Sequence, residues 1–85
     1  MKYYVYILYS QSRDRYYIGY TRNPQERLQE HNLGATNSTR PGRPWIMAYK
    51  EEFENRSIAI RREREIKSKK NRKFLETLIK SQTIG

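Results

Sequence analysis

An arginine and a histidine stand four residues apart just after the first proline of the chain, as Arg27 and His31. Residues with this spacing share one face of an α-helix, so both side chains can approach the same ligand. The planar guanidinium of Arg27 suits a bidentate contact with the non-bridging oxygens of a phosphate. His31 can act as a general base or acid beside it, although a lone histidine on a surface helix is more often a solvated polar residue.

A carboxylate that could complete a phosphodiester-cleaving site is Glu63, which lies in a strongly basic segment. Such hydrolysis needs an activated water and charge stabilisation at the phosphoryl oxygens. The chain has no cysteine and a single histidine, which excludes thiolate and all-histidine metal sites. Mg²⁺ or Mn²⁺ accepts one protein carboxylate with water completing its shell, so we expect Glu63 to hold such an ion. The alternative is a solvated ion pair of Glu63 with Arg62 or Lys67, and Glu65 is expected to face elsewhere.

A net charge of +9 on 85 residues indicates a polyanionic partner. Nucleic acid is favoured over an anionic membrane, because the basic segments carry few bulky apolar residues. No apolar run could span a bilayer and no signal-peptide cleavage site follows the N-terminus, so we expect one soluble, cytoplasmic domain over residues 1–85. The residues expected to contact the nucleic-acid backbone are Arg40, Arg43, Arg61, Lys67, Lys69 and Lys70.

Two tyrosine-rich segments are predicted to pair as an antiparallel hairpin. Residues 3–9 are aromatic and β-branched, which is typical of a buried strand, and residues 16–20 resume that pattern after a turn at 10–15. Alternation places Tyr4, Tyr6 and Leu8 on one face of the first strand, and Tyr3, Val5, Ile7 and Tyr9 on the other. Gly19, inside the second strand, predicts a bulge or a close approach by another backbone or a ligand.

The rest of the chain predicts one further strand and three helices. Thr21 or Asn23 can cap a first helix that has Pro24 in its first turn and ends before Gly34. A flexible basic loop at 35–44 leads to a strand at 45–53, and two helices are expected at 57–70 and 71–81. The predicted fold is therefore α+β, a small three-stranded antiparallel sheet flanked by helices in the order β-β-α-β-α-α.

The order of these motifs resembles the catalytic module of the GIY-YIG nuclease superfamily, in its small stand-alone members. "YVY" at 4–6 stands for a degenerate first signature, and "YIG" at 17–19 matches the second letter for letter. Arg27 follows ten residues after Tyr17, and His31 comes one helical turn later. "RPW" at the start of the third strand and "RREREIK" in the next helix also resemble the family.

The resemblance implies that Tyr6, Tyr17, Arg27, His31 and Glu63 form a catalytic site, with Glu63 as the metal ligand. We expect Tyr17 to polarise the attacking water and Tyr6 to orient it or to contact phosphate, with His31 as an alternative base. Neighbouring cations and the metal should favour the tyrosine phenolate.

The resulting hypothesis is a divalent-metal-dependent DNA endonuclease, structure-selective or repair-related, which acts on branched or damaged DNA. Larger family members carry separate targeting domains, so we expect a protein partner to supply specificity here. One alternative is a basic nucleic-acid-binding module that kept the fold and lost turnover, because Tyr20 stands where some members carry a lysine. A small basic structural protein is the other.

Overall fold

The computed structural model describes residues 1–69 and 71–83, and its elements follow the predicted order. They are β1 (Tyr3–Ser10), β2 (Arg15–Thr21), α1 (Pro24–Asn32), β3 (Trp45–Phe53), α2 (Arg56–Lys69) and α3 (Arg72–Thr83). One short 3-10 segment, Arg40–Gly42, lies between α1 and β3. The predicted α+β class and the β-β-α-β-α-α order are confirmed. Within the described residues, no helix has the length and apolar character needed to cross a membrane.

The sheet has the strand order β2-β1-β3, with both neighbours antiparallel to β1. Because β1 is the central strand, its middle residues Val5, Tyr6, Ile7 and Leu8 are almost completely buried. The pairing of β1 with β2 is continuous from Tyr4 opposite Thr21 to Ser10 opposite Arg15. The central strand therefore presents one set of side chains to each of two packed layers.

The two faces of the sheet carry separate clusters of buried side chains. On one face, Val5 and Ile7 pack with Ala59 and Ile66 of α2 and with Leu75 of α3. On the other face, Tyr6 and Leu8 pack with Trp45, and Tyr17, Leu28 and Met47 surround them. The predicted division of β1 into two faces is confirmed, and α1 covers the face that carries Tyr6.

An irregularity in β3 decides which of its side chains join each cluster. Tyr49 lies opposite Ile7 and Met47 lies opposite Leu8, so Ala48 is an extra residue without a partner on β1. Strict alternation would place Tyr49 and Met47 on the same face. The extra residue sends Tyr49 to the Val5 cluster while Met47 and Trp45 stay with Tyr6.

The helix α1 begins and ends as its sequence predicts. The Asn23 side chain accepts a hydrogen bond from the backbone N–H of Glu26 at 3.1 Å, so Asn23 and not Thr21 is the cap. Pro24 is the first helical residue, and Gly34 follows the helix with a left-handed φ of 83°.

The segment 35–44, expected to be a flexible loop, is fastened to the body of the protein at several points. The Trp45 indole N–H donates to the backbone carbonyl of Thr39 at 2.7 Å. The Asn32 side chain accepts from the backbone N–H of Trp45 and donates to its carbonyl. A Cβ on Gly42 would lie 2.5 Å from Cζ2 of Trp45, so only glycine lets this segment lie against the indole ring. These contacts bring Thr39 into the interior, where it is 1% exposed.

Candidate active site

Tyr6 and Gly19 face each other across the pairing of β1 with β2. A Cβ on Gly19 would lie 2.6 Å from the Tyr6 hydroxyl oxygen and 2.8 Å from its ring carbon Cζ. The Tyr6 side chain therefore crosses β2 where that strand has no side chain. The close approach at Gly19 is made by a side chain and not by the predicted backbone or ligand, and the predicted alternative of a bulge is wrong because the β1–β2 register is unbroken there.

His31 lies beneath the Tyr6 hydroxyl and is 0% exposed, which contradicts the alternative of a solvated surface histidine. Its Nε2 lies 3.2 Å from the Tyr6 hydroxyl oxygen, and its Nδ1 lies 2.9 Å from the Thr39 hydroxyl oxygen. Burial, with a smaller effect from the nearby charge of Arg27, lowers the pKa of His31 below its usual value. The ring is consequently neutral at physiological pH.

Arg27 lies beside the same hydroxyl, as the spacing to His31 predicts. Its guanidinium interacts with the Tyr6 hydroxyl and forms an ion pair with Glu30 at 2.9 Å. Burial raises the pKa of Tyr6 to about 12, and the opposing effect of Arg27 is smaller. Arg27 favours the Tyr6 phenolate, as expected of a neighbouring cation, but desolvation of the phenolate outweighs this effect in the protein alone.

Tyr17 lies on the open side of the cluster formed by Tyr6, His31 and Arg27. Its ring centroid lies 4.9 Å from that of His31 and 6.4 Å from those of Tyr6 and Trp45. Its side chain lines two neighbouring cavities of about 510 and 430 Å³. Within residues 1–69 and 71–83 no side chain or backbone group hydrogen-bonds to the Tyr17 hydroxyl. Tyr17 can therefore meet water or a ligand, whereas the Tyr6 hydroxyl already has protein partners.

Glu63 reaches the same region from α2, on the opposite layer. Its charge contributes to the raised pKa of Tyr6, so the carboxylate lies within electrostatic range of that hydroxyl. The Glu63 side chain is 15% exposed, and its ion pair with Lys67 is long, at 3.7 Å. Glu65 is 52% exposed and pairs with Arg62 at 2.6 Å. Glu65 thus faces elsewhere, as expected, and the alternative predicted for Glu63, an ion pair with Lys67, is present in the structure.

The donor set around Glu63 fits a magnesium-type ion bound largely through water and substrate. No group of three or more histidine or acidic side chains that could enclose a metal is found in the described parts of the chain. Mg²⁺ commonly uses one or two protein carboxylates together with waters and phosphate oxygens. Glu63 satisfies that requirement, since its carboxylate is partly open and only weakly paired.

The predicted nucleic-acid-binding residues fall into different environments. Lys67 lines the larger cavity together with Tyr17. Arg40 donates to the carbonyl of Gly34, and Arg43 donates to the carbonyl of Arg40, so both guanidinium groups also hold the 35–44 segment. The remaining three are Arg61, which is exposed, Lys69, whose ammonium lies over the Phe74 ring at 4.8 Å, and Lys70, which lies outside the described residues.

Three residues of this region were not predicted from the sequence. Arg13 and Arg15 line the smaller cavity beside Tyr17, and neither forms an ion pair with a described residue. Their position next to the hairpin turn, immediately before "YYIG", was the available signal. Thr39, the partner of His31 Nδ1, gave no signal, because a threonine in a polar loop is indistinguishable from its neighbours.

Comparison with known proteins places the chain among GIY-YIG domains. A family model described as the GIY-YIG catalytic domain matches residues 2–77. A UPF0213 protein of Enterococcus faecalis is 42% identical over 92% of this chain and 90% of its own length. One from Staphylococcus haemolyticus is 41% identical over 79% of this chain and 82% of its own length. The designation UPF0213 states no activity.

Two further similarities concern a named activity and a solved structure. The structure-specific endonuclease subunit SLX1 homolog of Drosophila melanogaster is 42% identical, and the match covers 66% of this chain and 22% of that protein. The solution NMR structure of a UPF0213 protein from Bacillus halodurans matches with a TM-score of 0.58 and 31% identity, over 94% of this chain and 84% of that one.

Proposed function

Because the chain belongs to the GIY-YIG catalytic domain family, we propose that it is a divalent-metal-dependent DNA endonuclease. The observation that carries the proposal is the convergence of side chains from four elements. They are Tyr6 of β1, Tyr17 of β2, Arg27 and His31 of α1, and Glu63 of α2. Residues separated by up to 57 positions thus lie near the Tyr6 hydroxyl, and Tyr17 of this set also lines both cavities.

The chemistry assigned to these residues is in-line hydrolysis of a phosphodiester. Tyr17, whose hydroxyl has no hydrogen-bond partner among the described residues, contacts and polarises the attacking water. Arg27 donates to the non-bridging phosphate oxygens and stabilises the charge that develops on them. Tyr6, held by Arg27 and His31, orients the same phosphate or water.

Glu63 is the proposed ligand of the divalent ion, Mg²⁺ or Mn²⁺. When bound, such an ion neutralises charge on the phosphate and the leaving oxygen. The partly exposed carboxylate supports this assignment, because its only ion-pair partner among the described residues, Lys67, lies at 3.7 Å and can be displaced.

The proposed substrate is branched or otherwise distorted DNA. The Drosophila relative is named as a structure-specific endonuclease subunit, and its similarity supports this choice. The net charge of +9 and the cationic cavity residues Arg13, Arg15 and Lys67 support binding to a polyanionic backbone. A targeting protein partner is proposed as well, since the cited relative is itself a subunit.

The proposal is tested by incubating the protein with flap, fork and junction DNA in the presence of Mg²⁺ or Mn²⁺. We expect cleavage near the branch, and loss of about a hundredfold or more in rate for Arg27→Ala, as for other single transition-state donors. Arg22→Ala removes the same charge from an exposed position before α1 and should cut normally. Tight binding with no cleavage of any substrate by either metal would favour the non-catalytic binding module.

A further inference from the structure

A chain of hydrogen bonds continues inward from the Tyr6 hydroxyl to the segment between α1 and β3. The Tyr6 hydroxyl lies 3.2 Å from Nε2 of His31, and Nδ1 of His31 lies 2.9 Å from the Thr39 hydroxyl. The Thr39 hydroxyl in turn donates to the backbone carbonyl of Thr36 at 3.3 Å. Tyr6, His31 and Thr39 are each at most 1% exposed, so solvent does not compete for these contacts.

The inner end of this series of hydrogen bonds, at Thr39 and Thr36, favours one position for the proton on His31. When the Thr39 hydroxyl donates its single proton to the carbonyl of Thr36, which can only accept, its oxygen offers only lone pairs to His31. The Thr39 oxygen can then only accept from His31, which requires a proton on Nδ1. In a neutral imidazole with a proton on Nδ1, the other nitrogen carries a free lone pair. Nε2 of His31 is therefore an acceptor.

The contacts of the Tyr6 hydroxyl, at the outer end of this series of hydrogen bonds, are compatible with the same assignment. The guanidinium of Arg27 has no acceptor atom, so it can only donate to the Tyr6 oxygen. The Tyr6 hydroxyl proton is then available to Nε2 of His31, which lies within hydrogen-bond distance. One tautomer, with the proton on Nδ1, thus satisfies the contacts on both sides of His31.

We propose that Thr39 is a positioning residue, which holds His31 in the Nδ1–H tautomer and so makes Nε2 the acceptor for the Tyr6 hydroxyl. The tautomer itself does not depend on the proposed endonuclease function, and only its effect on cleavage rests on that function. Thr39 also lines the smaller cavity beside Tyr17, but its hydroxyl is bonded to His31 and to the carbonyl of Thr36, so we infer that it acts through His31.

The backbone of Thr39 is held firmly enough for this role. Its carbonyl accepts from the Trp45 indole at 2.7 Å and from the backbone N–H of Gly42 at 3.1 Å. Its own N–H donates to the carbonyl of Thr36 at 3.2 Å. These backbone hydrogen bonds therefore hold the Thr39 hydroxyl at one position beneath His31. This gives the 35–44 segment a role besides the predicted contact with nucleic acid.

The test uses the fact that His31 is the only histidine, so its ring nitrogens are identified without ambiguity by ¹⁵N NMR. The whole protein, labelled with ¹⁵N-histidine, should show the Nδ1–H tautomer at neutral pH. Thr39→Ser keeps the hydroxyl and should keep this signature. Thr39→Val keeps the shape, removes the acceptor and should move the population toward the Nε2–H form.

Thr36→Val is the matched control, because only the backbone carbonyl of Thr36 takes part in the hydrogen bonds that lead from Tyr6 to this segment. It should leave the tautomer unchanged. If the protein cleaves DNA, Thr39→Val should lose about tenfold or more in rate and Thr39→Ser should restore it, a size typical of groups that orient a functional histidine. An Nε2–H tautomer in the unmodified protein overturns the proposal even if Thr39→Val does not fold. An unchanged tautomer in folded Thr39→Val overturns it as well, whether or not DNA is cut.

Discussion

The ring of Tyr6 occupies the space that a side chain at residue 19 would need, since a Cβ there would lie 2.6 Å from the Tyr6 hydroxyl oxygen. Gly19 is thus required by its cross-strand neighbour and not by an unusual backbone angle, because only Gly34 among the described glycines has a positive φ. The relationship links the glycine of the second signature to the tyrosine of the first.

This contact predicts a strong coupling between the two positions. Gly19→Ala should lower the free energy of unfolding by about 1–3 kcal/mol, because the Tyr6 ring must move out of its packed position. In a Tyr6→Leu background, whose side chain is shorter, the same change should cost about 0.5 kcal/mol or less. Urea denaturation of all four proteins measures the coupling. Equal costs in both backgrounds would show that Tyr6 does not impose the glycine.

The two tyrosine hydroxyls should differ in their effect on stability. Tyr6→Phe leaves the buried Nε2 of His31 without a partner and should cost about 1–3 kcal/mol. Tyr17→Phe removes no hydrogen bond between described residues and should change stability by about 0.5 kcal/mol or less, while it abolishes cleavage. Denaturation and cleavage assays on both variants measure this separation. Full activity in Tyr17→Phe would show that the Tyr17 hydroxyl takes no part in cleavage and that this residue contributes only packing.

The buried histidine predicts how stability depends on pH. The pKa of His31 in the folded protein is below its usual value of 6.5, chiefly through burial, with Arg27 lowering it further and Glu30 opposing. As the pH falls below about 6.5, the unfolded chain binds a proton that the folded protein does not, so the free energy of unfolding decreases. Above that range His31 is neutral in both states and contributes no slope.

The measurement is the urea midpoint between about pH 7.5 and about pH 5, for the unmodified protein and for His31→Asn. The variant lacks the titrating ring and should lose less stability on acidification. Parallel curves for the two proteins would mean that His31 titrates equally in the folded and unfolded states.

DNA binding is expected to be electrostatic and to involve the two arginines beside the hairpin turn. The logarithm of the binding constant should fall with that of the salt concentration, by about 0.9 for each duplex phosphate neutralised. Arg13→Gln and Arg15→Gln should each reduce the slope by about 1. Lys2→Gln should not change it, because Lys2 is already paired with Glu52 and Glu54. An affinity independent of salt would contradict this account.

Local sequence signals predicted the elements and the central part of the site. Alternation in β1 placed Tyr6 and Leu8 on a different face from Val5 and Ile7, and the helical spacing placed Arg27 and His31 together. The Asn23 cap and Gly34 set the limits of α1. Each of these inferences depends on residues close in sequence, for which periodicity and capping chemistry are informative.

The features that were not predicted depend on contacts between distant segments. The extra residue Ala48 places Tyr49 and Met47 on different faces of the sheet, and no local sequence pattern predicts it. Thr39 becomes part of the site only because Trp45 and Asn32 fold the 35–44 segment back onto the sheet. The raised pKa of Tyr6 likewise reflects burial, which the charge count could not reveal.

The central claim, that Glu63 supports metal-dependent cleavage, is tested most directly by comparing Glu63→Gln with Glu65→Gln on the same branched DNA. Both changes remove one negative charge from α2, but Glu63 is 15% exposed near Tyr6 while Glu65 is 52% exposed and paired with Arg62. We predict that Glu63→Gln loses cleavage with Mg²⁺ and Mn²⁺ while its DNA affinity stays equal or rises slightly, because a negative charge near the backbone is gone. Glu65→Gln should cut normally. Full cleavage by Glu63→Gln, or its loss in Glu65→Gln alone, would contradict the assignment.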